Sequence, residues 1–137
     1  MTEGEKKYQL ALNQGYSAAW DLDWEKAADY YRMALNEKPG DTKAMSNLAL
    51  ALFEMRKYRE SLNFYLQVAK EMPQDSTALE KIAILYDEIG KSDIGSKVAT
   101  KAAEIYIKSG DIFKALLIAC IALLTSPECC MILAIWR

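Results

Sequence analysis

Apolar residues along the chain recur every three or four positions, in runs that polar residues and prolines interrupt. In the first run, Tyr8, Leu12, Tyr16 and Ala19 fall on one stripe. That spacing is the period of a helix with one buried face. Six further runs follow, and together they predict an all-α chain of about seven helices. The predicted helices cover residues 6–20, 24–36, 42–54, 58–71, 76–89, 93–108 and 112–125.

The second and fourth of these helices repeat the same order of residue sizes, and each is followed by a proline, Pro39 or Pro73. We call the interval between these two prolines the proline period. A fixed period of about 34 residues is typical of stacked helical hairpins. The matching positions are Ala27, Tyr31 and Ala34 before Pro39, and Ser61, Tyr65 and Val68 before Pro73, with Gly15 and Ala49 at the small positions one helix earlier.

This order of small, aromatic, small and proline positions resembles the tetratricopeptide repeat, whose consensus places them at the same offsets. The resemblance spans about residues 6–127. It implies an α-α superhelix of antiparallel hairpins and a single domain over residues 1–137. The implied repeats are 8–41, 42–75, an irregular 76–109, and a partial or capping repeat at 110–137.

Beyond Gly90 the sequence supports two registers. The proline period places Gly95, Ala99 and Ala102 in the second helix of a third hairpin, without the aromatic and the proline. The second register begins within the third repeat, before that repeat would end. It matches a whole repeat that ends at Pro127. Both registers use the helix at 93–108, and we assign this helix to the third hairpin. The alternative is an irregular junction, at which about half a repeat is missing.

Composition excludes several classes of function. The 137 residues include no histidine, and 17 basic residues stand against 19 acidic ones with the signs interspersed. Histidine is the commonest general base and metal ligand, and nucleic-acid binding needs a basic surface. We therefore predict no enzyme activity, no cofactor, no metal and no nucleic-acid partner.

Three cysteines lie near the C-terminus: Cys120, Cys129 and Cys130. An adjacent pair chelates poorly and no fourth ligand is evident, so we predict buried structural thiols rather than a metal or redox site. The first residues, Met-Thr-Glu-Gly, run into amphipathic sequence without a secretory apolar region. We predict a cytoplasmic protein.

The C-terminal end is unusually apolar. Residues 115–124 are an unbroken apolar run, too short for a bilayer span of about 20 residues. Residues 129–136 are again mostly apolar, whereas the last helix of a solenoid needs a polar outer face. We expect this tail to pack back as a cap or to contact another subunit.

The resemblance implies a ligand in the concave groove, which the first helix of each hairpin lines. Such a groove suits an extended or helical peptide segment of a partner protein. Five of the projected residues are apolar or aromatic and three are polar or cationic. They are Leu12, Tyr16, Lys43, Asn47, Leu50, Phe53, Lys81 and Ile84.

Relatives that bind the acidic C-termini of heat-shock chaperones use a carboxylate clamp spread over three hairpins. Asn47 matches its second-hairpin asparagine, and Lys81 stands in place of its third-hairpin arginine. Leu12 and Tyr16 occupy the lysine and asparagine positions of the first hairpin, and Thr77 occupies the remaining lysine position. The resemblance therefore does not carry this clamp over.

A non-catalytic protein-interaction module is the function that these features predict. One alternative is a self-assembling scaffold that associates through its apolar end. A second is a small dedicated chaperone for a secreted or membrane-bound client.

Overall fold

A computed structural model describes the backbone of residues 1–124 and the side chains of residues 1–120. This part of the chain is α-helical throughout and contains no strand, as predicted. The helix bounds agree with the sequence prediction, the largest difference being the start of α1. The helices are α1 Glu3–Trp20, α2 Trp24–Glu37, α3 Thr42–Glu54, α4 Tyr58–Glu71, α5 Ser76–Glu88, α6 Ser92–Ser109 and α7 Ile112–Leu124.

Aspartate side chains cap the starts of four helices. Asp23 accepts a hydrogen bond from the backbone N–H of Lys26 at 3.2 Å, and Asp41 accepts one from that of Ala44 at 2.8 Å. Such caps satisfy backbone donors that have no partner within the helix. Asp75 and Asp111 do the same for Ala78 and Lys114, at 3.3 and 3.2 Å.

The turns inside the first three hairpins share one backbone geometry. Each is closed by a backbone hydrogen bond across the turn, and each contains one left-handed residue. These left-handed residues are Leu22, Arg56 and Gly90, which recur at the proline period, with φ values of 60°, 60° and 82°. The closing bonds run from Asp23 N to Ala18 O at 2.9 Å, from Lys57 N to Leu52 O at 2.9 Å, and from Lys91 N to Tyr86 O at 2.7 Å.

Met1–Glu71 form one compact unit, which contains α1 to α4. Its core includes Leu12, Leu48 and Leu52, each at most 1% exposed. Helices α1 and α2 approach closely at Gly15, where an added Cβ would lie 2.5 Å from the Tyr31 ring. The sequence pattern predicted the small residue at this crossing.

Helices α5 to α7 belong to the second compact unit, which begins at Met72. At Gly95, which aligns with Ala27 and Ser61, an added Cβ would lie 2.8 Å from the carbonyl oxygen of Ala83. Ala99 and Ala102 are buried. Helices α5 and α6 thus meet where the proline period places them.

The two competing registers share α6 because this helix packs on both of its neighbours. The proline period places a proline at position 107, but the residue there is an isoleucine. Helix α6 therefore continues to Ser109, and Gly110 caps it with a φ of 83°. Near this end the Tyr106 hydroxyl donates to Glu80 of α5 at 3.2 Å. The Lys114 ammonium of α7 lies 5.5 Å from the centroid of the Tyr106 ring. One long helix therefore pairs with α5 and with α7.

The single domain over residues 1–137 and its division into repeats stay predictions. Cys129, Cys130 and the tail at 129–136 lie outside the described residues. Among the helices that the structure describes, none combines the length and the apolar character that crossing a membrane requires.

Candidate functional site

Six of the eight predicted groove residues lie in the first unit, on α1 and α3. The two helices are the first members of consecutive hairpins. The other two residues, Lys81 and Ile84, are half-buried on α5 in the second unit. Their part in a common site stays a prediction. The first-unit residues are Leu12 and Tyr16 on α1 and Lys43, Asn47, Leu50 and Phe53 on α3.

A hydrogen bond joins α1 and α3 at the surface. The side-chain amide of Asn47 donates to the hydroxyl oxygen of Tyr16 at 3.2 Å. The Tyr16 ring is held edge-on against Tyr31, with ring centroids 6.0 Å apart and an interplanar angle of 65°. Tyr16 is 37% exposed. The hydroxyl is therefore fixed in place at an accessible edge.

Lys43 lies one helical turn before Asn47 and reaches the same spot. Its ammonium nitrogen is 5.8 Å from the centroid of the Tyr16 ring, within the range of a cation–π interaction. Within residues 1–120, no carboxylate lies within ion-pair distance of Lys43. Its charge is thus available to a ligand.

Three hydrogen-bond donors converge here, on what we call the Tyr16 surface: Tyr16, Lys43 and Asn47. Because the Tyr16 oxygen accepts from Asn47, its own O–H proton is directed elsewhere, and no described residue accepts it. The second N–H of the Asn47 amide and the Lys43 ammonium complete the set. This arrangement suits a hydrogen-bond acceptor such as a carbonyl or a carboxylate.

An apolar area follows the Tyr16 surface along α3. Leu50 and Phe53 are half-buried. The Phe53 ring packs edge-on against Tyr58 of α4, with centroids 5.7 Å apart. Phe53 therefore contributes to packing within the hairpin and retains a partly exposed edge.

The prediction that Leu12 lines a groove is wrong. Leu12 is 1% exposed and belongs to the core of the first unit. Helix α1 buries residues 8, 11, 12, 15 and 18, so Leu12 lies in the middle of the buried stripe. Tyr16 lies at its edge, one turn further on. A ligand cannot reach Leu12 unless the core opens.

The prediction of a buried thiol is wrong for Cys120, which is exposed on α7. It lies on the side of this helix that faces away from the buried Ala115 and Ile118. Among the described residues there is no group of three or more potential metal ligands of the histidine, cysteine or acidic types.

A polar cluster at the start of α1 was not predicted. Tyr8 donates a hydrogen bond to Asp41 at 2.9 Å, and Lys38 forms an ion pair with Glu5 at 2.8 Å. The Lys38 ammonium also lies 4.2 Å from the centroid of the Tyr8 ring. A signal was present in the sequence, because Tyr8 and Asp41 are 33 residues apart, which is close to the proline period.

The cluster shifts two pKa values. Burial, together with the hydrogen bond to Asp41, raises the pKa of Tyr8 to about 12. The hydrogen bond from Lys38 lowers the pKa of Glu5 below its usual value. Since the charged groups here are paired with one another, we interpret the cluster as a structural tie between α1 and the start of α3.

No protein-family model and no curated protein sequence matches this chain. Several solved structures, however, are similar to it. The TPR2B domain of yeast Sti1, in a complex with a pHsp70, superposes with a TM-score of 0.78 at 16% identity, over 88% of this chain and 99% of that one. The Arabidopsis OM64 TPR domain gives 0.76 at 12% identity, over 87% and 96%.

A third similar structure is the first TPR of Spaghetti (RPAP3), bound to the HSP90 peptide SRMEEVD. Its TM-score is 0.75 at 14% identity, over 85% of this chain and 90% of that one. The three alignments cover most of both chains in each case. They agree with the all-helical architecture described above. The chain therefore has the fold of the tetratricopeptide repeat domains.

Proposed function

We propose that this chain is a non-catalytic interaction module that binds a segment of a partner protein on the Tyr16 surface. The observation that carries the proposal is the convergence of three donors, from Tyr16, Lys43 and Asn47, on one exposed edge. Of the structures with a similar fold, the RPAP3 domain is bound to an HSP90 peptide and the Sti1 domain is in a complex with pHsp70, which supports a peptide as the ligand.

The chemistry of an extended peptide fits this surface. Such a segment presents backbone carbonyls and acidic side chains as acceptors for the Tyr16 hydroxyl and the Lys43 ammonium. Its apolar side chains would contact Leu50 and the exposed edge of Phe53. In this binding mode polar contacts orient the peptide and apolar side chains give specificity. We propose that the interaction takes place in the cytoplasm.

The specificity of the chaperone-bound relatives does not transfer directly. The first-hairpin lysine position of the carboxylate clamp is occupied by Leu12, which is buried. The neighbouring asparagine position is occupied by Tyr16, whose hydroxyl accepts from Asn47. We therefore propose a ligand whose acceptors are recognised by this hydroxyl and by Lys43. Lys81 and Ile84 belong to the second unit, and their role in binding stays a prediction.

The test begins by selecting random displayed peptides on the full chain, followed by fluorescence anisotropy with the best labelled peptide. Tyr16→Phe keeps the ring and removes the hydroxyl, so we expect binding to weaken by about 5-fold, the effect of one lost hydrogen bond. Combining Tyr16→Phe with Asn47→Ala should weaken it further. Tyr30→Phe is the matched control, because Tyr30 is half-buried on α2 and outside the Tyr16 surface.

Two outcomes would overturn the proposal. One is that selection enriches no peptide that binds the chain. The other is that the double variant binds the selected peptide as tightly as the unmodified chain does.

A further inference from the structure

Helix α7 exposes an apolar face in the second unit. Its opposite side carries Ala115 and Ile118, which are 4% and 2% exposed. The exposed residues occur in two neighbouring rows with i, i+4 spacing. We call them the α7 outer face: Ile112, Phe113, Leu116 and Leu117, which are 62%, 89%, 60% and 59% exposed.

No other helix among the described residues exposes four large apolar side chains within six positions. Elsewhere exposed residues of this type occur singly or in pairs, such as Leu10 of α1 and Met33 of α2, which line one cavity. Four large side chains that are each more than half exposed offer roughly 500 Å² of apolar surface. The largest apolar patch on a soluble monomer is typically about this size and is often functional.

We propose that a second copy of this chain covers the α7 outer face, with α7 packing against α7 about a two-fold axis. The scarcity of charged residues on α7 favours a second copy of the chain as the partner. Between Ile112 and Cys120 the only charged residue is Lys114, which is paired with Asp111 at 3.4 Å. Two identical faces can therefore meet without repulsion between like charges. A strongly charged partner would find no complementary group on this face.

Shape and size also suit two identical helices. Rows of side chains at i, i+4 spacing form the ridges that interlock when two helices cross. A two-fold contact uses the same patch twice, so it needs no second surface on the chain. Two such faces together would bury about 1,000 Å², the lower bound for a specific interface. We therefore expect a reversible dimer.

The test measures the mass of the full chain by sedimentation velocity, from about 1 to about 300 µM, a range that brackets a dimer of moderate affinity. We expect a monomer–dimer equilibrium. Phe113→Glu combined with Leu117→Glu places four negative charges in the contact and should raise the dissociation constant at least about 100-fold. Both positions are exposed, so at concentrations where the unmodified chain is monomeric the helical circular dichroism and the unfolding midpoint should stay nearly unchanged.

The matched control replaces two similarly exposed apolar residues of the first unit. Leu10 and Met33 are 59% and 53% exposed. Leu10→Glu combined with Met33→Glu introduces the same charges and should leave the dimer intact. If it weakens the dimer as much as the α7 variant does, the assignment to α7 is wrong.

A further variant distinguishes a head-to-tail arrangement. Trp20 and Leu22, in the turn between α1 and α2, are 88% and 71% exposed and offer a second apolar contact. Trp20→Glu combined with Leu22→Arg installs the residues that the equivalent second turn carries, Glu54 and Arg56, so the turn is preserved. We expect this variant to dimerise normally. Loss of the dimer would show that the turn of one copy binds another copy, and would overturn the two-fold pairing.

Two results with the unmodified chain would also overturn the proposal. A monomer at every concentration means that residues 125–137 of the same chain, or nothing, cover α7. A continuous ladder of larger species means non-specific aggregation. Peptide binding serves as an independent measurement: if the chain binds a selected peptide on the Tyr16 surface, the α7 variant should retain that binding, because α7 carries none of the residues of that surface.

Discussion

The ring of Tyr31 occupies the space that a side chain at Gly15 would need. An added Cβ at Gly15 would lie 2.5 Å from this ring, which is 3% exposed and packed in the core of the first unit. Helices α1 and α2 can approach closely only because position 15 has no side chain. The same ring supports Tyr16, the neighbour of Gly15, in an edge-on contact. Hairpin packing and the candidate site are therefore coupled at this crossing.

We predict that Gly15→Ala lowers the free energy of unfolding by up to about 2 kcal/mol. Overpacking a core costs about 1–3 kcal/mol, and the higher helix propensity of alanine returns about 1 kcal/mol of it. Urea unfolding followed by circular dichroism measures the change. Gly4→Ala in the same helix is the control, because an added Cβ there makes only an ordinary contact of 3.5 Å with Glu37. An equal effect of the two substitutions would contradict the close approach at Gly15.

A second prediction concerns the left-handed residue of the first turn. Leu22 has a φ of 60°, a conformation that disfavours a side chain, whereas glycine occupies the equivalent position 90. Leu22 is also 71% exposed, so its removal loses little burial. Leu22→Gly should raise the free energy of unfolding by about 1 kcal/mol. The melting temperature should rise accordingly.

The reverse substitution in the third turn is its control. Gly90→Ala places a side chain at a φ of 82° and should lower the melting temperature. If both substitutions shift the melting temperature in the same direction, the left-handed conformation does not limit stability.

The helices could be predicted from the sequence because their signals are local. Asp23, Asp41 and Asp75 cap helices, and Pro39 and Gly90 mark helix ends. The sequence pattern predicted a start of α1 at residue 6, whereas the helix begins at Glu3. Its signal was present, since Thr2 accepts a hydrogen bond from the backbone N–H of Glu5 at 3.2 Å, as in a capping box.

The candidate site could be predicted only in part. Helical periodicity identified the face of α1 but not the width of its buried stripe. Because α1 packs on α2 and also bonds to α3 through Tyr8 and Tyr16, that stripe includes Leu12. The bond from Asn47 to Tyr16 joins residues 31 positions apart. Such a pair depends on tertiary packing, which the sequence pattern does not specify.

Burial of Leu12 gives a third prediction, which separates core from surface on α1. Leu12→Ala should lower the free energy of unfolding by about 2–5 kcal/mol. Leu12→Lys, which would restore the residue of the carboxylate clamp, buries a charge and should prevent folding at moderate temperature. Leu10→Ala, at a position that is 59% exposed, should change the free energy by less than about 0.5 kcal/mol. A folded Leu12→Lys variant of normal stability would show that this side chain is accessible.

The last prediction concerns alkaline pH. Burial raises the pKa of Tyr8 and of Tyr31 from 10.0 to about 12, with the bond to Asp41 adding to the effect at Tyr8. In the unfolded chain these hydroxyls lose their protons near pH 10, whereas the folded chain retains them. The stabilisation is therefore complete below pH 10 and is lost as the pH rises towards 12. The midpoint of urea unfolding should fall over this interval, and the combined Tyr8→Phe and Tyr31→Phe variant should show a flatter pH dependence. If the variant loses stability as steeply as the unmodified chain, the shifted tyrosines are not its cause.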